Sequence, residues 1–249
     1  MKYLGRLVQV LHFYLLSQWT RYFSGQIMTV SDRPSIIIAP HQDDETLGCG
    51  GLIALKRQAG ITVAVVFLTD GDNNSLTVNE SCEDSVSLRR QEAIAALQIL
   101  GVSTSDIYFL NYPDGQLQTL SEPEQQQFIA QLTVLIEHYQ AQEVYVPHSK
   151  DGHSDHEMAF QTVQATLTGI ARNIKLFQYP IWLFWQRTFP LQLTQQDLAG
   201  ACRLNIAAVR TQKQTAIQVY QSQLPSLPFS FLRPFRASTE LFFVQPTNL

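Results

Sequence analysis

Apolar residues fall into two kinds of run along this chain. Short β-branched runs at residues 35–39, 62–68, 107–110, 143–147 and 174–179 are each bounded by turn residues. Runs of that length and composition read as buried strands. Between them lie longer segments, at 48–60, 85–101, 123–139 and 157–169, whose apolar positions recur at helical spacing. Strand and helix in alternation predict βαβ units and an α/β fold with a mostly parallel sheet. Beyond Tyr179 the pattern loosens. An aromatic patch (Trp182, Phe184, Trp185, Phe189) precedes a short strand expected at 205–208 and a helix expected at 209–222. Residues 224–236, with Pro225, Pro228 and Pro234, read as an irregular loop, and 240–244 as a last strand.

Residues 1–25 follow a different pattern. Leu4, Leu7, Val8, Leu11, Leu15 and Trp19 keep helical spacing, while Lys2, Arg6, Gln9, Gln18 and Arg21 interrupt it. A spanning helix needs about 20 mainly apolar residues, so the segment reads as an amphipathic helix. Such a helix either packs on the protein or lies on a membrane surface, making peripheral contact there. The expected organisation is this helical segment at 1–25 and one α/β domain over 30–249.

Composition narrows the field. The 249 residues carry a net charge of −4, with 15% charged residues. No basic stripe offers a grip on nucleic acid. Three scattered cysteines, Cys49, Cys82 and Cys202, predict no disulfide framework and a reducing, cytoplasmic setting.

The chemistry gathers in two polar clusters, each directly after a predicted strand. The first is Pro40-His41-Gln42-Asp43-Asp44-Glu45; the second contains Asp151, His153, Asp155 and His156. Parallel sheets bind ligands at the carboxyl ends of their strands, so both clusters belong on one edge. Charge this dense at the end of a buried strand is costly unless a cation or a reaction uses it. His41, Asp44 and one histidine of the second cluster supply two imidazoles and a carboxylate, a set typical of catalytic zinc. Ferrous iron and magnesium are the alternatives. Asp43 is then the candidate base for a metal-activated water. His153, oriented by Asp155, is the candidate for stabilising an oxyanion or protonating a leaving amine.

These motifs resemble those of the PIG-L/LmbE family of metal-dependent N-deacetylases. The family's Ala-His-Pro-Asp-Asp-Glu motif corresponds to Pro40–Glu45 and its His-x-Asp-His motif to His153-Ser154-Asp155-His156. Gly48-Cys49-Gly50-Gly51, Thr69-Asp70-Gly71, Arg89-Arg90-Gln91-Glu92, Lys213-Gln214-Thr215-Ala216 and Tyr220-Gln221-Ser222-Gln223 also match the family pattern. The resemblance implies a Rossmann-like three-layer α/β sandwich and zinc ligands His41, Asp44 and His156, with Asp43 as general base. It implies that His153, oriented by Asp155, stabilises the tetrahedral intermediate or acts as acid, and that Arg89 or Arg90 binds substrate. The implied reaction is removal of acetyl from an N-acetylated amino sugar in a small-molecule glycoconjugate. Gln42 stands where the family usually has proline.

Other readings keep the metal and change the rest: an amidase or esterase acting on a non-sugar acyl group, or a non-catalytic metal-binding member. A nucleotide-binding module fits less well, because Ile53 breaks the dinucleotide glycine fingerprint and acidic residues precede the glycines. A homo-oligomer stays open at this level.

Overall fold

The structure is a computed structural model that describes residues 26–72, 82–185 and 196–244, together with residues 15, 20 and 194. Apart from residues 15 and 20, the segment 1–25 and so the expectations for it lie outside the described residues. Among the described residues, no helix is long and apolar enough to cross a membrane.

Eight strands form one sheet: β1 (Gln26–Met28), β2 (Ser35–Ala39), β3 (Val63–Thr69), β4 (Ile107–Tyr112), β5 (Glu143–Pro147), β6 (Lys175–Tyr179), β7 (Ala201–Asn205) and β8 (Thr239–Val244). Their order across the sheet is β1-β7-β8-β6-β5-β2-β3-β4. The pairs β1–β7, β2–β3, β2–β5, β3–β4 and β5–β6 are parallel; β8 runs antiparallel to both β6 and β7.

The helices are α1 (Asp44–Gln58), α2 (Cys82–Ile99), α3 (Glu122–His138), α4 (Ser154–Thr168), α5 (Arg210–Val219) and the single turn α6 (Phe229–Leu232). Alternation along β2 sorts them into two outer layers. Ile37 and Ala39 face a core shared with Leu52 and Ile53 of α1, Leu97 of α2 and Ile217 of α5. Ile36 and Ile38 face Phe128 and Leu132 of α3 and Val163 of α4. With both faces covered, β2, β3 and β5 are buried along their whole length, as parallel strands in such sheets are. This is the three-layer α/β sandwich the sequence predicts.

Several boundaries differ from expectation: α1, α2 and α4 begin three or four residues earlier than read, β4 runs two residues further, and α5 is shorter. The sheet takes in Gln26–Met28, ahead of the expected domain start at residue 30; two of those three residues are exposed, so no apolar run marks them. The short strand expected at 205–208 sits earlier, as β7, and 207–209 is a 3-10 turn. The proline-rich stretch is not a bare loop. It holds α6 and two 3-10 turns, with Pro225 and Pro234 near their starts, where proline is tolerated.

The sheet grows in opposite directions from β2, to β3 on one side and to β5 on the other. That is a switch point, where adjacent parallel strands open a crevice at their carboxyl ends. β2 leads into His41 and β5 into the segment 148–156, so the two polar clusters meet over neighbouring strands.

Candidate active site

The turn after β2 is built to present carboxylates. Asp43 is the N-cap of α1, at φ 146°, a backbone region that residues other than glycine rarely occupy. An N-cap Asp ordinarily accepts a hydrogen bond from the first helical turn. Asp43 makes no such bond, and its side chain lines the cavity instead. Glu45 does the capping from the other direction: its Oε2 accepts the Asp43 N–H at 3.2 Å. Its Oε1 accepts from the hydroxyls of Thr46 and Tyr220.

His41, Asp44 and His156 converge. His41 Nδ1 lies 3.2 Å from Asp44 Oδ2 and 3.2 Å from His156 Nε2, and His156 Nε2 lies 3.2 Å from the same Asp44 oxygen. Two further contacts identify the protonated ring positions. His156 Nδ1 donates to Asp151 Oδ2 at 2.7 Å. His41 Nε2 lies between Asp114 Oδ1, at 3.0 Å, and Asp155 Oδ2, at 3.3 Å. In its neutral form each imidazole then turns a lone pair inward, towards a carboxylate oxygen and the other imidazole. Three acceptors facing one another at this distance repel unless a proton or a metal cation sits among them. Metal bonds of about 2.0–2.2 Å in a tetrahedron set ligand atoms roughly 3.4 Å apart, close to the triangle seen here. These three side chains could hold a divalent cation.

The surrounding charge points the same way. Burial would lower the basicity of His41, but Asp114, Asp155 and Asp44 raise it well above the usual value. Burial likewise opposes, and Asp44 and Asp151 outweigh it for, His156, which is raised to about 9. The pocket attracts positive charge. Donor atoms of His41, His153 and His156, and of His41, Asp114 and Asp155, also lie within 4.8 Å of one another. The 3.2 Å triangle is the tighter set, and Asp155 is already committed elsewhere.

That commitment corrects an expectation. Asp155 was expected to orient His153, yet its carboxylate accepts from the Gly115 and Leu117 backbone N–H groups, at 2.7 and 3.1 Å, and faces His41. It reaches His153 only through its own backbone N–H, which donates to His153 Nδ1 at 3.3 Å. Asp155 starts α4, and the first turn of a helix points side chains back over the preceding loop. His153, the N-cap of α4, lines the cavity beside Asp43.

Two residues with no role assigned from the sequence belong here. Asp151 Oδ1 accepts from the backbone N–H of Ile181 and Leu183, and its Oδ2 from that of Trp182 and from His156. Asp114 joins Asp155 on His41. Asp114 lies in the polar turn after β4, also a strand end; that placement is the signal that could have found it.

The two arginines have different surroundings. Arg89 is buried and lines the cavity. Arg90 instead donates to Asn111 at 2.6 Å and stacks over Phe109. Gln42 is buried too, and its amide donates to the Thr69 carbonyl at 2.9 Å, tying the β2 turn to the end of β3. The cavity of about 220 Å³ has a second, apolar wall that includes Leu47, Trp182 and Phe231, with the Trp182 and Phe231 rings stacked 4.3 Å apart.

The PIG-L family model, described as GlcNAc-PI de-N-acetylase, matches residues 36–167, more than half of the chain. The chain belongs to the PIG-L family. The matched span runs from β2 through α4 and so includes all three converging side chains. Among relatives, an uncharacterized deacetylase YaiS of Escherichia coli K12 is 29% identical over 166 residues, covering 64% of this PIG-L chain and 82% of that protein. A diacetylchitobiose deacetylase of Thermococcus kodakarensis is 36% identical over 83 residues, 33% of this chain and 30% of that one. The N,N'-diacetylchitobiose deacetylase structure from Pyrococcus horikoshii shares the fold, with a TM-score of 0.67 at 21% identity over 86% of this chain and 84% of that one.

Proposed function

We propose that the protein is a metal-dependent N-deacetylase that removes acetyl from an N-acetylated amino sugar of a small glycoconjugate. The observation that carries this reading is the triangle of His41 Nδ1, Asp44 Oδ2 and His156 Nε2, each pair 3.2 Å apart, beside a carboxylate that stays out of it. Family membership and deacetylase relatives support the reaction class. Zinc suits two imidazoles and a carboxylate; ferrous iron suits the same donors.

When bound, the cation supplies Lewis acidity to an acyl oxygen and acidifies water. The chain's own residues do the rest. Asp43 takes the proton of the attacking water: burial, and then Asp44 and Glu45 beside it, push its carboxyl well above the usual carboxylate range, towards a useful base. His153 Nδ1 accepts the Asp155 N–H, which leaves the ring proton on Nε2, available to the cavity. Burial, with His41 and His156 nearby, lowers its pKa to about 4. The Nε2 proton of His153 is a donor to the developing oxyanion, and the proton that Asp43 takes from water passes to the leaving amine as acetate departs. Arg89 supplies a fixed positive charge for the polar end of the substrate, and the Trp182–Phe231 wall takes a sugar face or another apolar surface.

The test is acetate release from a panel of N-acetylglucosaminyl conjugates, including N,N'-diacetylchitobiose, with and without a chelator. Release that a chelator abolishes and zinc or ferrous iron restores is the expected result. Release indifferent to chelation would overturn the metal, and release only from non-sugar amides or esters would overturn the substrate.

A further inference from the structure

We infer that Tyr220 and Glu45 are positioning residues for Asp43, holding the strained backbone from which the base acts. The inference rests on the reading of Asp43 as the base. The N-cap position normally ties up an Asp side chain in the helix; here that side chain makes no such bond, and the Asp43 backbone is tied instead through its N–H, which Glu45 accepts. A non-glycine residue at φ 146° persists only where its surroundings over-determine it. Glu45 is the surroundings. Its carboxylate is fully buried, and both oxygens are engaged: Oε2 by Asp43, Oε1 by the Thr46 and Tyr220 hydroxyls.

Tyr220 stands directly after α5, 175 residues along the chain from Glu45. It is 1% exposed and lies outside the cavity lining. Its carbonyl accepts from the N–H groups of Gln223 and Leu224, starting the segment that carries Gln223, Ser226 and Leu227 to the cavity wall. One tyrosine therefore joins the base turn to the far side of the substrate pocket.

The experiment is a double-variant cycle on the full chain, with N,N'-diacetylchitobiose, or whichever panel conjugate releases acetate, as the probe. Tyr220→Phe is expected to keep metal content and KM while lowering kcat about ten- to a hundredfold, the scale of a misplaced catalytic group. In an Asp43→Asn background the same change is expected to alter the residual rate by less than about twofold, since no base remains to be positioned. An equal loss in both backgrounds overturns the inference and leaves Tyr220 a packing residue. Full activity in Asp43→Asn alone overturns the base assignment itself, and is visible before the cycle is built. Should Tyr220→Phe fail to fold, Glu45→Gln serves instead. It keeps an oxygen for the Asp43 N–H and is expected to retain more kcat than Glu45→Ala; equal loss in the two overturns the inference.

Discussion

Asp151 and His156 are joined by a 2.7 Å hydrogen bond, and the same carboxylate accepts three backbone N–H groups from Ile181, Trp182 and Leu183. The orientation of the His156 imidazole and the path of the chain after β6 are therefore set by one side chain. Asp151→Asn replaces an all-acceptor group with an amide whose NH2 must face donors. Outer-shell partners of this kind are worth about 10–100-fold in metal affinity. A loss of that size is expected in a chelator-competition titration; unchanged affinity would refute the role.

Asp43 stands beside the triangle without joining it. Asp43→Asn should keep stoichiometric metal and lower hydrolysis by about two or more orders of magnitude, the usual contribution of general base catalysis. His156→Ala should lose the metal. Elemental analysis beside the acetate assay distinguishes the two, and metal loss in Asp43→Asn would contradict the assignment.

Arg89 and Arg90 are neighbours in sequence with different surroundings. Arg89→Ala is expected to raise KM or lower kcat/KM about tenfold or more, as loss of a substrate contact does. Arg90→Ala removes a bond to Asn111 and stacking on Phe109, so its kinetics should match wild type, with at most a small change in Tm. Steady-state kinetics on both variants decide.

Gly48 faces Tyr179 so closely that a Cβ added there would come 2.3 Å from the ring. Tyr179 is fully buried, and its hydroxyl bonds the Ile38 carbonyl at 2.7 Å, so the ring has little room to retreat. Gly48→Ala should destabilise by about 1–3 kcal/mol, the typical cost of overpacking. Denaturant unfolding at constant m-value measures it.

At the opposite end of β5, Glu143 pairs with Lys56 at 2.9 Å. Burial alone would raise the Glu143 carboxyl, but the Ser31 and Lys56 hydrogen bonds outweigh it and hold it below the usual range. A depressed folded-state pKa means stability that is present above the unfolded value, about 4.3, and lost as pH falls through the folded value. The double variant Lys56→Met/Glu143→Gln should show a flatter decline of Tm with acidification than wild type. An unchanged acid slope would show that other carboxylates dominate it.

Much of this was legible along the chain. β2 and β5 are β-branched runs ending in turn residues, and their boundaries match expectation. The two clusters announced themselves as charge following a buried strand. Less was legible where the signal depends on partners. β1 shows no apolar run, because a three-residue edge strand buries little. The Asp155 error came from proximity in sequence: the nearest imidazole along the chain was His153, but the start of α4 aims the carboxylate at Gly115, Leu117 and His41.

Residue order by itself determined the alternating α/β pattern, the family, and which side chains are chemically able to hold a metal and move a proton. Tertiary structure alone decided that β2 and β5 lie side by side, and so that His41 and His156, 115 residues apart, meet. It also decided that Arg89 rather than Arg90 faces the cavity, and that Glu45 and Tyr220 stand behind Asp43. The physical reason is range. Periodicity and turn chemistry act over a few residues and are written locally. A hydrogen bond is directional over about 3 Å, so its partner is whichever group the packed sheet brings there, however distant along the chain.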